Sequence, residues 1–192
     1  MDTAVVDQAL RPFHDAEITE GVVVGVFICP SYAPIRIKEA AYYRDQLEKL
    51  HHNIDGNVKK IVIPLCNSSH FHGYIVDLVD KKIIHVDSKY LRITATKRSV
   101  IDYLKEKYFP DESDDITVES WYKEQYQFDS HTCGAWLILG MVGYILGVEA
   151  ALPTFHMSTA FALVMVLIKE NSPSEIAIKS IKVSIYQISL LV

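Results

Sequence analysis

The chain has 192 residues and a formal net charge of −5 at pH 7, with 49% hydrophobic and 22% charged residues. This balance predicts one globular domain over residues 1–192 with a sizeable core, and the negative charge argues against a nucleic-acid partner, which needs a basic surface. The three cysteines, Cys29, Cys66 and Cys133, are too few and too scattered for a disulfide framework and favour a reducing compartment.

Neither the N-terminus nor the apolar segments indicate secretion or membrane insertion. Asp2 and Asp7 stand where a signal peptide would be basic and then apolar. The apolar runs 135–148 and 158–168 are shorter than the roughly 20 residues that a spanning helix needs, so we expect buried core helices. These features predict the cytoplasm or nucleus and no membrane partner, with delivery into a host cell as an open alternative.

Hydrophobic periodicity predicts the elements in chain order. Period-two or β-branched runs predict strands, and apolar residues at helical spacing predict helices. The predicted elements are a strand or short helix at 22–28, a helix at 38–51, a turn at 55–57, strands at 58–65, 74–79 and 83–86, a helix at 96–109, a strand within 116–128 leading toward Gln127, and helices at 133–148 and 158–169. The tail from 174 to 192 fits both periods and is left unassigned. Helices flanking a central β-meander make an α+β fold.

A candidate nucleophile stands at the start of the predicted helix 133–148. Cys133 is placed where backbone amides and the helix dipole favour the thiolate, the form that attacks a carbonyl carbon. Gln127, six residues upstream, can donate a hydrogen bond to an oxyanion. His131 is too close to the cysteine along the chain to serve well as its base.

Two histidines compete for the role of that base. His70 and His72 share one face of the predicted strand because side chains alternate with period two. A hairpin with Val76 and Lys81 flanking its turn sets His70 opposite Asp87, which could orient the imidazole. A shift of the turn centre by one residue sets His72 there instead, and periodicity does not decide between the two.

Four segments in the same order resemble the ubiquitin-like-protein-specific (SUMO, or sentrin) proteases. Residues 61–64 are similar to the strand before the catalytic histidine, and 70–77 to the segment with that histidine, an aromatic residue and a strand ending in aspartate. Residues 84–88 resemble the hydrophobic-Asp-Ser segment, and 127–134 the glutamine-to-Cys-Gly segment. The resemblance covers roughly residues 58–148, and an ordered set of motifs is more specific than any one of them.

The resemblance implies a papain-like cysteine protease with its nucleophile at a buried helix N-terminus. It implies a triad of Cys133, His70 and Asp87 with Gln127 as oxyanion donor, and it selects His70 because Phe71 then takes the aromatic position. The implied reaction is cleavage after the C-terminal diglycine of a ubiquitin-like modifier (SUMO, NEDD8 or ubiquitin), in precursor processing or deconjugation.

Substrate binding is implied for two further positions, Phe71 and Gly134, with no metal or cofactor. The sequence also departs from the family pattern, with Phe71 for the usual tryptophan, Asp129 for asparagine and Thr132 for aspartate, and no tryptophan-containing segment matches before Val58. These departures concern substrate recognition. They leave open an acyltransferase on the same scaffold, although no basic cofactor-binding region is visible, and a modifier-binding pseudoenzyme, which the intact catalytic set disfavours.

A zinc site is a different chemistry that the same region could support. Cys66, His70 and His72 lie within seven residues and could supply three ligands, with Cys133 or His85 as a fourth. No second Cys/His pair stands at the usual spacing for zinc, so the sequence favours the protease.

Overall fold

The computed structural model describes residues 3–13, 26–28, 58–67 and 69–147. In chain order its helices are α1 (Thr3–Leu10), α2 (Ala95–Tyr108) and α3 (Cys133–Ile145), and its strands are β1 (Val26–Ile28), β2 (Lys60–Asn67), β3 (His70–Asp77), β4 (Lys82–Val86) and β5 (Thr117–Ser120). The predicted helices at 38–51 and 158–169, the turn at 55–57 and the tail from 174 lie outside these residues.

The five strands form one sheet in the order β1-β2-β3-β4-β5. The three central strands are antiparallel and form the predicted β-meander, whereas β1 and β5 pair in parallel with their neighbours. The α+β fold class is therefore confirmed. The parallel edges were not expected, because pairing between distant segments leaves no local pattern in the sequence.

Alternation along the strands divides the core into two layers. Residues such as Phe71 and Ile75 face α3 and α1 on the inner face of the sheet. Tyr74, Val76 and Ile83 point the other way and pack against α2 on the outer face. Each helix therefore buries one face of the sheet, and the ends of β3 and β4 lie between the two layers.

The helices follow from their local sequence. α2 begins at a Thr94 cap, whose side chain accepts a hydrogen bond from the Lys97 amide, and it buries one apolar face. Every residue of α3 except Tyr144 is buried, as expected for a helix that is apolar all round. α3 ends earlier than predicted, and Gly147 takes a positive φ of 66° just beyond it. No helix among the described residues is long and apolar enough to cross a membrane.

The predicted strand within 116–128 is largely wrong. β5 covers only Thr117–Ser120, and the chain then turns. Tyr122 and Tyr126 pack their rings against Trp136 of α3 instead of entering a ladder. Aromatic residues raise strand propensity, but here the same residues fill a loop over the inner core.

Candidate active site

The turn between β3 and β4 determines which side chains meet near Asp87. Gly73 pairs with Val86, and the same register continued by one residue sets His72 opposite Asp87. Of the two registers that the sequence allowed, this is the one with the shifted turn. Asp77 favours this register, because its carboxylate accepts hydrogen bonds from the backbone amides of Asp80 and Val79 in the turn, at 3.0 and 3.1 Å.

His70 is nevertheless the histidine that bonds Asp87. Its Nε2 lies 2.9 Å from Asp87 Oδ1. Asp87 stands one residue beyond the end of β4, where the ladder has stopped, so its side chain reaches His70 diagonally. His72, on the same face, is buried in the outer layer and stacks on His70 with ring centroids 6.1 Å apart.

Asp87 is fixed by several donors besides His70. Its Oδ1 accepts from the backbone amides of Lys89 and Tyr90, at 3.0 and 2.9 Å, and its Oδ2 accepts from Lys97 Nζ at 2.8 Å. Burial by itself raises the pKa of this carboxyl, but the hydrogen bonds from His70 and Lys97 hold it well below its usual range. Asp87 is therefore ionised, and its position does not depend on His70 alone.

Lys97 was missed from the sequence. It lies in the first turn of α2, and a lysine on a charged helix surface carries no signal for contact with a carboxylate ten residues upstream. Its ammonium also donates to the Tyr90 carbonyl at 2.7 Å, which holds it over Asp87. Only the packing of α2 on the sheet shows this role.

The Cys133 thiol lies beside His70, and its Sγ donates to the Ser69 carbonyl at 3.8 Å. Burial raises the pKa of Cys133, but the hydrogen bond with His70 and the backbone amides of Phe71 and Gly134 lower it below its ordinary value. Burial likewise lowers the pKa of His70, yet the hydrogen bonds to Asp87 and Cys133 raise it to about 9. Both shifts favour a thiolate beside an imidazolium.

Gln127 is buried and connected to the Asp87 segment. Its Oε1 accepts from Ser88 Oγ at 3.1 Å, and its Nε2 donates to the Asp129 carbonyl at 3.0 Å. The Ser88 carbonyl in turn accepts from the backbone amide of Gln127 at 3.1 Å. Ser88, which the sequence marked only as the residue after Asp87, thus holds the glutamine in place.

Two of the departures from the family pattern bond to each other. The Asp129 carboxylate accepts hydrogen bonds from the Thr132 hydroxyl, at 2.8 and 2.9 Å, and from the backbone amides of His131 and Thr132, at 2.7 and 2.9 Å. Asp129 as the acceptor and Thr132 as the donor therefore hold the loop before Cys133 together. The two departures are thus complementary.

The remaining candidates lie as follows. Gly134 is buried in the first turn of α3, and Phe71 is 4% exposed and packs in the inner layer, so its part in substrate binding stays a prediction. His131 is exposed and contacts Ser130. The zinc set weighed from the sequence is not brought together, because Cys66 faces the inner layer with Phe71 and His72 faces the outer one.

Comparisons with known proteins identify the family and the fold of the chain. The sequence profile of the Ulp1 protease family, C-terminal catalytic domain, matches residues 32–176. None of the curated protein sequences matches the chain significantly.

The fold is similar to that of the yeast C-terminal Ulp1 protease domain in complex with Smt3, the yeast ortholog of SUMO. The two share 15% identity with a TM-score of 0.66, over 88% of this chain and 74% of that one. The Ulp1-like SUMO protease catalytic domain of Chaetomium thermophilum also shares 15% identity, with a TM-score of 0.52 over 88% of this chain and 72% of that one. At such identity the likeness confirms the fold, whereas the profile match covers most of the chain and confirms the resemblance found in the four motifs. The chain therefore belongs to the Ulp1 protease family of cysteine peptidases.

Proposed function

We propose that this peptidase cleaves after the C-terminal diglycine of a SUMO-type modifier, with Cys133 as the nucleophile. His70 is the general base and acid, Asp87 orients it, and Gln127 is an oxyanion donor. The observation that carries the proposal is the 2.9 Å contact of His70 with Asp87, beside Cys133 at the N-terminus of α3, where His70 lowers the pKa of the thiol. One domain over residues 1–192 supplies all of these groups.

The reaction follows from the positions of these groups. His70 holds the proton of the thiol, and the Cys133 thiolate attacks the carbonyl of the terminal glycine. The Cys133 backbone amide and the side-chain amide of Gln127, whose Nε2 donates to the Asp129 carbonyl and carboxylate in this structure, stabilise the oxyanion, a contribution of about 3–4 kcal/mol per donor in a comparable site. His70 then protonates the leaving amine, and afterwards it activates the water that hydrolyses the thioester.

Two exposed aromatic side chains adjoin the candidate catalytic residues, one in contact with His70 and one next to Gln127 in sequence. Tyr90 is 52% exposed and meets the His70 ring edge-on, with centroids 5.0 Å apart. Phe128, next to Gln127, is 83% exposed. We assign the contacts with the modifier tail to these two aromatic rings and to Phe71. The complex of the similar yeast domain with Smt3 supports a modifier of the SUMO type.

Covalent capture tests the proposal. The parent protein and its Cys133→Ala variant are incubated with SUMO, NEDD8 and ubiquitin that carry an electrophile at the C-terminus, and the products are weighed by mass spectrometry. We expect an adduct with SUMO on the parent and none on the variant. Cys66→Ala is the matched control, since it removes another buried thiol and should leave the adduct unchanged.

Two outcomes would contradict the proposal. An adduct with ubiquitin or NEDD8 but not SUMO would refute the proposed SUMO-type substrate and leave Cys133 as the nucleophile. Binding of modifiers without any adduct would point to a pseudoenzyme.

A further inference from the structure

A second cluster of polar side chains lies buried beside the triad, on the outer face of the sheet. His72 of β3, His85 of β4 and Asp87 each offer one ligand atom, and these atoms all lie within 4.8 Å of one another. Among the described residues no other group of this kind is found. His85 Nε2 is 4.0 Å from Asp87 Oδ2, the carboxylate oxygen that His70 does not use.

The two histidines lack the hydrogen bonds that buried imidazoles normally make. His72 Nδ1 and both ring nitrogens of His85 are buried without a partner, and the residues are 8% and 1% exposed. An unpaired buried polar group costs about 1–3 kcal/mol, so a cluster of them calls for an explanation. The aromatic ring of Tyr74 packs against both imidazoles and keeps them apart from the rest of the outer layer.

We infer that His72, His85 and Asp87 bind a divalent transition-metal ion, for which Zn²⁺ is the best fit. Two imidazoles and one carboxylate are a common zinc ligand set, with ligand atoms about 2.0–2.2 Å from the ion and a fourth position for water. The three ligand atoms now lie within 4.8 Å of one another and would close around a common centre when the ion binds.

The ion competes with Lys97 for Asp87. The Lys97 ammonium now bonds Oδ2 and is largely covered, with 11% of its side chain exposed. A metal ion at the cluster takes over this oxygen and repels the ammonium, while Oδ1 stays with His70. This zinc set differs from the one weighed in the sequence, and it does not depend on what the protease cleaves.

Calorimetric titration of Zn²⁺ into the full-length Cys133→Ala protein tests the inference, because removing this thiol prevents it from binding the metal together with His70. We expect one ion per chain. Adding Lys97→Met removes the competing charge but keeps the aliphatic stem, and it should tighten binding about tenfold. Adding His85→Gln should weaken binding by about tenfold or more. The exposed His131→Gln is the matched control and should leave the affinity unchanged.

Nitrogen-15 NMR of the imidazole rings in the Cys133→Ala protein gives the same answer without altering the cluster. Zinc should shift the ring nitrogens of His72 and His85. Absence of binding overturns the site. The site is also overturned if zinc binds but leaves the resonances of His72 and His85 unmoved and has the same affinity with Lys97→Met. That result would place the ion at other histidines, such as His51 and His52, which are neighbours in the sequence.

Discussion

At the level of single residues, Cys133 and His70 change each other's proton affinity in opposite directions. Cys133 is buried and His70 is half-buried, which alone would keep both neutral. Their mutual hydrogen bond and the carboxylate of Asp87 reverse that effect. The charged pair is thus a property of three side chains together, and removal of one should be visible in the others.

We expect His70→Ala to move the reactivity of the Cys133 thiol to higher pH. The pKa of Cys133 is lowered chiefly by its bond with His70, so without that imidazole the thiolate forms only at a higher pH. Alkylation rates with iodoacetamide should fall on the order of tenfold near neutral pH. Both proteins also carry Cys29→Ser and Cys66→Ser, so that Cys133 is the one cysteine left to alkylate, and a chelator is present.

His131→Ala serves as the control for this experiment, since it removes an exposed imidazole two residues from the thiol. Its profile should coincide with that of the parent. Identical profiles for His70→Ala and the parent would show that the imidazole does not influence the sulfur.

Sequence motifs nominated the residues to which we assign the chemistry but not those that support them. Cys133, His70, Asp87 and Gln127 could be nominated because their segments follow a recognisable order. Lys97 could not be, because its contact with Asp87 exists only after α2 has packed on the sheet.

At the level of elements, close approach of β2, β3 and α3 depends on Gly73. A Cβ atom there would lie 2.4 Å from the Ile63 carbonyl oxygen and 2.4 Å from Met141 Cε. The methionine can rotate, but the backbone oxygen belongs to the β2–β3 ladder. We expect Gly73→Ala to lower the free energy of unfolding by about 1–3 kcal/mol, measured by urea denaturation.

Gly143→Ala is the matched comparison within α3. The nearest atom to a Cβ there is Trp121 Cζ2 at 3.2 Å, on a partly buried side chain. Alanine favours a helix over glycine by about 1 kcal/mol, which offsets the tighter contact. A Gly73→Ala protein as stable as Gly143→Ala would contradict the argument.

The elements themselves were predicted where local pattern is strong. β2, β4, α2 and α3 were predicted within a few residues, and β3 begins earlier, at His70. The register of β3 with β4 could not be derived, because it depends on the hydrogen bonds that Asp77 makes in the turn. α1 was not predicted, and the early end of β5 was missed because tyrosines favour strands and also fill loops.

At the level of the whole molecule, Asp77 at the end of β3 connects its strand to β2 and to α3. Its Oδ2 accepts from the Lys60 ammonium of β2 and, at 2.8 Å, from the Tyr144 hydroxyl of α3. Burial raises the pKa of this fully buried carboxyl, but the Asp80 amide and Lys60 lower it below its ordinary value. Asp77 is therefore ionised in the folded protein.

Asp77→Asn should reduce the free energy of unfolding at pH 7 by about 1–3 kcal/mol, since it weakens several hydrogen bonds to a buried charge. Because the folded-state pKa is depressed, the contribution is present above the unfolded pKa of about 4 and is lost as pH falls through the folded value. Urea denaturation at several pH values should show the two proteins converging in acid. The more exposed Asp80→Asn should behave like the parent at every pH.

The mixed pairing of the sheet has a consequence for how the active site comes into existence. β2, β3 and β4 join through short turns, whereas β1 and β5 pair with segments far away in sequence, and α3 comes last of the described elements. Local contacts form before distant ones, so we expect the meander with His70 and Asp87 to form before Cys133 docks. Hydrogen exchange and pulsed alkylation during refolding measure this order, and simultaneous protection of β3 and Cys133 would disprove it. In a partly folded chain, His70 and Asp87 would then already be in contact while the Cys133 thiol is not yet beside them. Proteolytic activity would therefore appear only when folding is complete.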